Sequence, residues 1–154
     1  MSDVSVASLA AMYQETLLAQ YRAPHNRREL VNATHTAARK NPLCGDALQV
    51  AVRFDADVIA DAAFGGQGCS IATASASMMT DVLAGLTRDE ALALVDEVES
   101  MLTHATPAAN LPSKLEALRA VAPFPGRHGC ATMPWLALRD ALRDALRDAL
   151  HGRP

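Results

Sequence analysis

The segment from residue 47 to residue 85 constrains the fold most, because two extended runs, a glycine cluster and a helix of small residues follow one another there. The runs LQVAVRF and VIADAAF flank an acidic break at residues 55–57, and their near-alternating pattern predicts a hairpin over residues 47–64. The GGQG motif at residues 65–68 permits a tight backbone turn and is predicted to end the second strand. The segment CSIATASASMMTDVLAGL then predicts a closely packed helix.

Further helices are predicted on both sides of this hairpin. An imperfect apolar stripe over residues 9–21, followed by Pro24, predicts a first helix. Thr87 and Glu90 form a capping-box pattern, which predicts a helix over residues 88–103.

The remaining segments are predicted to be loops and shorter helices. Residues 27–43 are polar and irregular and are predicted to be a loop, as are residues 104–113. A short helix is predicted over residues 114–121. The repeat LRDALRDALRDAL, over residues 138–150, predicts a partly exposed C-terminal helix that packs on the core, because leucines spaced by four drift slowly around a helix. A coiled-coil or partner-binding role for this repeat is the alternative.

Composition and charge exclude several classes of function. The chain of 154 residues has a formal net charge of -3 and only 4% aromatic residues, with its basic residues scattered, so it lacks the basic surface and stacking aromatics expected of a nucleic-acid-binding protein. No window approaches the roughly 18 apolar residues of a membrane span, and the N-terminus lacks the basic start of a signal peptide. We therefore expect a cytoplasmic protein that does not bind membranes or nucleic acids.

The motif NPLCGD at residues 41–46 places a cysteine two positions before an acid, inside a turn shaped by Pro42 and Gly45. If the chain is extended through Gly45, the side chains of Cys44 and Asp46 point to the same face. A thiolate and a carboxylate could then bind one metal ion.

The other two cysteines lie at the predicted starts of helices. Cys69 opens the helix of small residues, and Cys130 stands shortly before Pro134, a residue that suits a first helical turn. The positive end of a helix dipole favours an anionic thiolate at such positions. An odd number of cysteines at long spacings favours metal binding or thiol chemistry over a disulfide framework.

Three thiolates together with Asp46 would complete the tetrahedral coordination that zinc prefers. No C-x-x-C pair is present, so the residue types alone leave open both a shared metal site and buried structural cysteines. His128 is the rival to Asp46 as the fourth ligand.

Three segments carry a resemblance to a known family. NPLCGD, FGGQGCSIATASASMM and GRHGCATMPW resemble the signature segments of the SufU-type members of the iron-sulfur cluster assembly scaffold family, and the resemblance extends over residues 13–142. The long separation of the last two cysteines resembles the insertion of the SufU subfamily, here assigned to residues 87–118. The scaffolds proper have a histidine directly before the last cysteine, whereas this chain has Gly129 there and His128 before it.

This resemblance implies a zinc-dependent sulfurtransferase that accepts persulfide sulfur. Its partner would be a SufS-type cysteine desulfurase dependent on pyridoxal phosphate, and it would supply the downstream iron-sulfur assembly machinery. The family's ligands carry over to Cys44, Asp46, Cys69 and Cys130, and Cys44 would take the sulfur. In the family, a histidine of the desulfurase replaces the acceptor cysteine on zinc and frees it to attack.

Arg127 and His128 are candidates to lie beside the metal without binding it directly. Zinc with three thiolates and one carboxylate carries a net negative charge, which Arg127 could offset. A solvated loop arginine is the alternative interpretation of Arg127.

The predicted fold is α+β, a small antiparallel sheet with helices packed on one face and the metal at one end, similar to SufE and IscU. Residues 1–154 are predicted to form one IscU/SufU-like domain that includes the repetitive helix at 138–150. Two other functions remain open. One is a scaffold on which an iron-sulfur cluster assembles on the same cysteines, and the other is a non-catalytic interaction domain that zinc stabilises.

Overall fold

The computed structural model describes residues 6–41, 45–104 and 111–152, with side chains from residue 11 onward. In chain order, the elements are helix α1 (Val6–Arg22), strands β1 (His35–Asn41), β2 (Asp46–Asp55) and β3 (Val58–Gln67), and helices α2 (Ser70–Leu83), α3 (Arg88–His104) and α4 (His128–Leu150). Two 3₁₀ helices, Ser113–Val121 and Pro125–Arg127, lie between α3 and α4. None of the helices in these described ranges is both long and apolar enough to cross a bilayer.

The three strands form one antiparallel sheet in the order β1-β2-β3. Alternation along β2 turns Leu48, Val50 and Val52 toward the helices, and all three side chains are buried. The predicted hairpin is therefore confirmed, and so is the α+β fold class. The strand β3 extends to Gln67, past the point where the GGQG motif was expected to end it.

Strand β1 is an element that the sequence did not predict. Residues 27–43 were expected to be a loop, which is wrong for His35–Asn41, since these residues pair with β2 from His35 opposite Val52 to Asn41 opposite Asp46. Its sequence, HTAARKN, lacks large apolar residues because β1 is an edge strand that is mostly exposed. Polar and charged residues are usual on such edges.

The helices pack on one face of the sheet, as predicted. Helix α4 packs on β1 and β2, α2 packs on β3, α1 packs on α2, and α3 packs on α4. The largest fully buried side chain is Trp135 of α4, and Leu138 and Leu142 on the same helix are also fully buried. The core therefore lies between the sheet and helices α2 and α4, and these two helices also approach the same end of the sheet.

The connection from α2 to α3 confirms the predicted capping box. The N–H of Thr87 donates to Oε1 of Glu90 at 2.9 Å, and the N–H of Glu90 donates to Oγ1 of Thr87 at 3.1 Å. This reciprocal pair satisfies donors that the first turn of a helix leaves unpaired.

The last helix begins earlier than the sequence indicated. The repetitive residues 138–150 are helical, as predicted, but they continue a helix that already starts at His128. Pro134 was expected in a first turn and lies inside α4 instead. The prediction was wrong because two glycines and a proline around residues 125–129 resemble a loop, whereas this segment forms a 3₁₀ turn that leads directly into α4.

Candidate metal centre

Three of the predicted ligands meet at the end of the sheet where Asn41 pairs with Asp46. Asp46 is the first residue of β2, Cys69 directly precedes α2, and Cys130 lies in the first turn of α4. A carboxylate oxygen of Asp46 and the sulfurs of the two cysteines all lie within 4.8 Å of one another. One end of the sheet and two helix N-termini thus bring together residues that are far apart in sequence.

Cys69 is held in place by its role as the N-cap of α2. Its backbone is extended, and its Sγ accepts a hydrogen bond from the N–H of Ala72 at 3.5 Å. Its own N–H donates to Oδ2 of Asp46 at 3.1 Å. The cap and this bond fix the position of the Cys69 sulfur relative to the Asp46 carboxylate.

Asp46 is a carboxylate in a largely dry position, with 8% of its surface exposed. Burial of an anion is costly unless hydrogen bonds or a cation compensate for it. Because a carboxylate has two oxygens, Asp46 can accept the N–H of Cys69 through Oδ2 and present the other oxygen to a metal ion. The arrangement suits a ligand whose orientation is set before the metal binds.

Cys69 and Cys130 are half-buried at the rim of a small apolar cluster. The cluster is formed by Leu48, Phe64, Ala72, Ala76 and Met133. Both cysteines pack against this cluster, and each residue remains partly exposed. Such partial access is what an ion or a reacting sulfur atom from another protein would need.

The segment that carries Cys44 lies outside the described residues, but the residues on either side of it are fixed. Asn41 pairs with Asp46 across β1 and β2, and the N–H of Gly45 donates to the carbonyl of Asn41 at 2.8 Å. Gly45 has a φ of +75°, a conformation that disfavours residues with a side chain. The residues that flank Cys44 in the sequence therefore lie at the same end of the sheet as the other predicted ligands.

The glycine cluster does not end β3, but one of its members, Gly66, is required where two strands approach closely. Its φ is +96°, and a Cβ at this position would lie 2.2 Å from the carbonyl oxygen of Ala47. The backbones of β2 and β3 approach too closely there for any side chain. This contact brings the chain before Cys69 against the start of β2, where Asp46 lies.

Arg127 directly precedes α4 and His128 is its first residue, so both lie close to Cys130 in sequence. His128 places Nε2 at 2.8 Å from the carbonyl oxygen of Ala122, and in the described residues the clustered metal-ligand atoms come from Asp46 and the two cysteines. Arg127 is exposed and directly precedes α4, and its side chain forms no helix cap.

The donor set fits zinc. Zinc accepts both thiolate and carboxylate ligands, at about 2.3 Å for sulfur and about 2.0–2.2 Å for oxygen, which puts neighbouring tetrahedral ligand atoms about 3.6–3.8 Å apart. Atoms that already lie within 4.8 Å need to approach by about 1 Å at most to reach that geometry. Side-chain rotation of half-buried residues can supply such a movement.

The sequence missed the features that assemble this centre. It proposed Cys69 and Asp46 as ligands but gave no sign that the N–H of one donates to the carboxylate of the other. The sequence also placed Asn41 in a turn, whereas Asn41 is the strand residue that pairs with Asp46. The side chain of Asn41 lies close to α4, since its Nδ2 would be 3.5 Å from a Cβ added to Gly129. No sequence pattern encodes these contacts, because they join segments that are distant along the chain.

Comparison with known proteins agrees with this geometry. The family model described as the NifU-like N terminal domain matches residues 12–131. The chain is 38% identical over 139 residues to the iron-sulfur cluster assembly scaffold protein IscU of Streptococcus pyogenes serotype M1, covering 90% of this chain and 87% of the relative. It is 35% identical over 133 residues to the zinc-dependent sulfurtransferase SufU of Bacillus subtilis, covering 86% and 90%.

A solved structure extends the similarity to three dimensions. It is a protein of Fervidobacterium islandicum AW-1 described as an iron-sulfur cluster assembly scaffold for the SUF system. It matches this chain with a TM-score of 0.79 and 29% sequence identity, over 86% of this chain and 97% of its own. The two relatives in sequence have similar identities to this chain but are named for different roles, so similarity alone does not assign one role.

Proposed function

The chain belongs to the family of NifU-like N-terminal domains, which includes iron-sulfur cluster assembly proteins, and we propose that it is a zinc-dependent sulfurtransferase within that family. It would accept sulfur from the persulfide of a cysteine desulfurase. Residues 1–154 would form one domain for this purpose.

One observation carries this proposal: the oxygen of Asp46 and the sulfurs of Cys69 and Cys130 lie within 4.8 Å. Two sulfurs and one carboxylate oxygen are a donor set that zinc accepts. A carboxylate oxygen in the same cluster favours a metal site over two cysteines that only fill space. The identity to a relative named for zinc-dependent sulfur transfer adds independent support.

The proposed ligands are Cys44, Asp46, Cys69 and Cys130. Cys44 would be the fourth ligand and the sulfur acceptor, since Asn41 and Asp46, which flank it closely in sequence, pair at this end of the sheet. Zinc, when bound, would keep the cysteines in the thiolate form at neutral pH.

The chemistry at Cys44 would be an exchange between sulfurs. The Cys44 thiolate attacks the outer sulfur of the desulfurase persulfide, forming a new sulfur-sulfur bond and breaking the old one. The desulfurase cysteine leaves as a thiolate, and Cys44 becomes the persulfide, with no net oxidation or reduction. Asp46 and Cys69 remain joined by their hydrogen bond and keep the site in place while Cys44 reacts.

The proposed partner is a SufS-type cysteine desulfurase that uses pyridoxal phosphate to produce its persulfide. Sulfur would pass onward to the iron-sulfur assembly machinery. The partial exposure of Cys69 and Cys130 supports contact with such a partner.

Arg127 would contribute by charge. Three thiolates and a carboxylate exceed the charge of one zinc ion, and Arg127 lies just before the helix turn that carries Cys130. Arg127→Ala is expected to weaken zinc binding or sulfur acceptance. Unchanged values for both would rule out this role and leave an ordinary solvated arginine.

The decisive experiment compares three proteins: the wild type, Cys44→Ala and Asp46→Ala. Each is purified, its zinc content is measured, and it is incubated with the desulfurase and cysteine. Mass spectrometry then detects the addition of one sulfur atom. Cys44→Ala is expected to abolish acceptance even where zinc remains bound, while Asp46→Ala is expected to lower zinc content.

A second candidate function is supported by the relatives named as scaffolds. Thiolates bind iron-sulfur clusters as readily as they bind zinc, so the same residues could hold a cluster during its assembly. Visible absorbance separates the two, because a cluster is coloured and zinc is not. A protein that develops cluster absorbance when supplied with iron and sulfide, and transfers the cluster to an acceptor, would favour the scaffold.

The third possibility, a non-catalytic domain stabilised by zinc, makes a different prediction for Cys44→Ala. The thermal stability of Cys44→Ala would fall because its zinc site is damaged. In addition, the wild type would not accept sulfur from the desulfurase. Sulfur acceptance by the wild type therefore excludes it.

A further inference from the structure

Helix α4 is weakened at the turn that carries Cys130. Pro134 lies inside the helix and has no N–H, so it cannot donate to the carbonyl of Cys130 four residues earlier. The first turn of α4 thus lacks part of the backbone hydrogen bonding that normally fixes a helix. A hydrogen bond from a neighbouring element would help to hold this turn in the position that brings Cys130 near Cys69.

Ser75 supplies such a connection from the middle of α2. Its side chain is fully buried, and its Oγ donates to the carbonyl of Ala131 at 2.7 Å. The same Oγ accepts a hydrogen bond from Nε1 of Trp135 at 3.0 Å, and Trp135 is also fully buried. One hydroxyl thereby bonds to α4 at two points, one on each side of Pro134.

The bond to Ala131 is placed next to the metal centre. Ala131 directly follows Cys130, and Ser75 lies on the helix that Cys69 caps. Apolar residues of the same two helices, such as Ala72 and Met133, also pack together here. Apolar contacts favour close packing but tolerate sliding of one helix along the other, whereas a hydrogen bond requires a defined distance and angle.

We propose that Ser75 is a positioning residue that sets the register of α4 against α2 and thereby the distance between the sulfurs of Cys69 and Cys130. This rests on the proposed zinc site. Its consequence is that loss of the Ser75 hydroxyl lowers zinc affinity although Ser75 contacts neither sulfur. Groups that orient metal ligands typically change affinity by about 10- to 100-fold when removed.

Ser77 provides a matched control on the same helix. It is also fully buried, and its Oγ donates to Gln20 and accepts the N–H of His25, so it joins α2 to α1 and to the segment after it. Ser75→Ala and Ser77→Ala both remove a buried hydroxyl with two partners. Only the first removes a bond to the helix that carries Cys130.

The experiment measures zinc affinity of the metal-free proteins by competition with a chromogenic chelator. Ser75→Ala is expected to bind zinc about 10-fold or more weakly than the wild type, and Ser77→Ala with nearly wild-type affinity. Because the chain has a single tryptophan, the fluorescence of the metal-free protein reports the Trp135 indole directly. Its emission is expected to shift in Ser75→Ala and not in Ser77→Ala.

If Ser75→Ala does not fold, Ser75→Cys is the second variant to measure. A thiol is a weak hydrogen-bond donor of nearly the same shape as a hydroxyl, so it fills the same space and keeps the helices packed. Ser75→Cys is expected to lose affinity as well. Wild-type affinity in a folded Ser75 variant, or an equal loss in Ser77→Ala, would overturn the role of Ser75 and leave the zinc site intact. A wild type that binds no zinc would overturn both proposals.

Discussion

Near the start of strand β3, at Ile59, backbone hydrogen bonds join the sheet to the chain after α2. Near the end of β3, at Gly66, the connections depend instead on particular side chains and glycines. At the first end, the N–H of Ile59 donates to the carbonyl of Leu86 at 2.8 Å, and the N–H of Gly85 donates to the carbonyl of Ile59 at 2.9 Å. At the second end, the Asp46 carboxylate accepts the N–H of Cys69.

This difference separates stability from function within one small sheet. The first end is built on the main core, in which Ile59 and Leu83 are fully buried. The second end has the smaller apolar cluster and the half-buried cysteines. Substitutions at the first end should therefore change the free energy of unfolding but not zinc binding, whereas those at the second end should also change zinc binding and sulfur acceptance. The following predictions test that separation in order of decreasing effect on stability.

The largest loss of stability is expected from Leu83→Ala. Leu83 lies at the end of α2 opposite Cys69 and is fully buried, so truncation leaves a cavity in the main core. The free energy of unfolding is expected to fall by about 3 kcal/mol. Urea denaturation measures this, with Leu150→Ala, at an exposed position, as the control. A folded Leu83→Ala protein that has lost its zinc would break the separation.

Gly66→Ala and Gly45→Ala form a matched pair at the site end. At Gly66 a new Cβ would lie 2.2 Å from the carbonyl of Ala47, whereas at Gly45 it would meet nothing within 4 Å. Both have positive φ, so Gly45→Ala is expected to cost about 1 kcal/mol for backbone strain alone. Gly66→Ala is expected to cost at least about 2 kcal/mol and to weaken zinc binding, because strands β2 and β3 must separate beside Asp46. Equal losses in the two variants would contradict this.

Removal of the α3 cap is a change near the first end of the sheet that is expected to cost less stability. Thr87→Ala deletes the oxygen that accepts the N–H of Glu90, and the free energy of unfolding is expected to fall by about 1 kcal/mol. Zinc affinity should not change. Thr103→Ala, at an exposed position in the last turn of the same helix, serves as the control.

The smallest effect is expected from the pair of Arg28 and Asp61. Burial acts to raise the pKa of Asp61, but hydrogen bonds from Arg28 and from the N–H of Ala62 outweigh it and lower that pKa below the usual value. The charged form therefore stabilises the folded state at neutral pH, and this contribution is lost as the pH falls through the lowered pKa. Because both side chains are substantially exposed, Asp61→Asn should cost only about 0.5 kcal/mol at pH 7.

The pH dependence checks the sign of this effect. The difference between the wild type and Asp61→Asn is expected to shrink as denaturation is repeated toward pH 3. A difference that grows on acidification would contradict the assignment. Asp55→Asn, at an exposed position in the same hairpin, serves as the control for removal of a surface carboxylate.

The parts of the fold that the sequence predicted are those with a strong local pattern. Alternation identified the hairpin, and Thr87 and Glu90 identified the start of α3, because each signal depends on neighbours in sequence. Strand β1 was missed because an edge strand needs little burial, and its pairing partner lies elsewhere in the chain. Pro134 misplaced the start of α4 for a related reason: a proline inside a helix is tolerated here by tertiary contacts.

The candidate metal centre likewise contains residues that the sequence predicted and contacts that it could not predict. Residue types and the family resemblance selected Asp46, Cys69 and Cys130 as ligands, and the structure brings these three together. Their role in binding a metal stays a prediction, as does that of Cys44, which lies outside the described residues. The supporting contacts of Ser75 and Gly66 could not be predicted, because they depend on how closely particular backbones and helices approach one another in three dimensions.

X-ray absorption at the zinc edge tests the central claim most directly. For wild-type protein loaded with one equivalent of zinc, the account predicts three sulfur ligands at about 2.3 Å and one oxygen ligand at about 2.0–2.2 Å. Asp46→Ala should lose the oxygen contribution, and Cys130→Ser should lose one sulfur. A first coordination shell dominated by nitrogen, or zinc bound without the sulfurs of Cys69 and Cys130, would contradict the account.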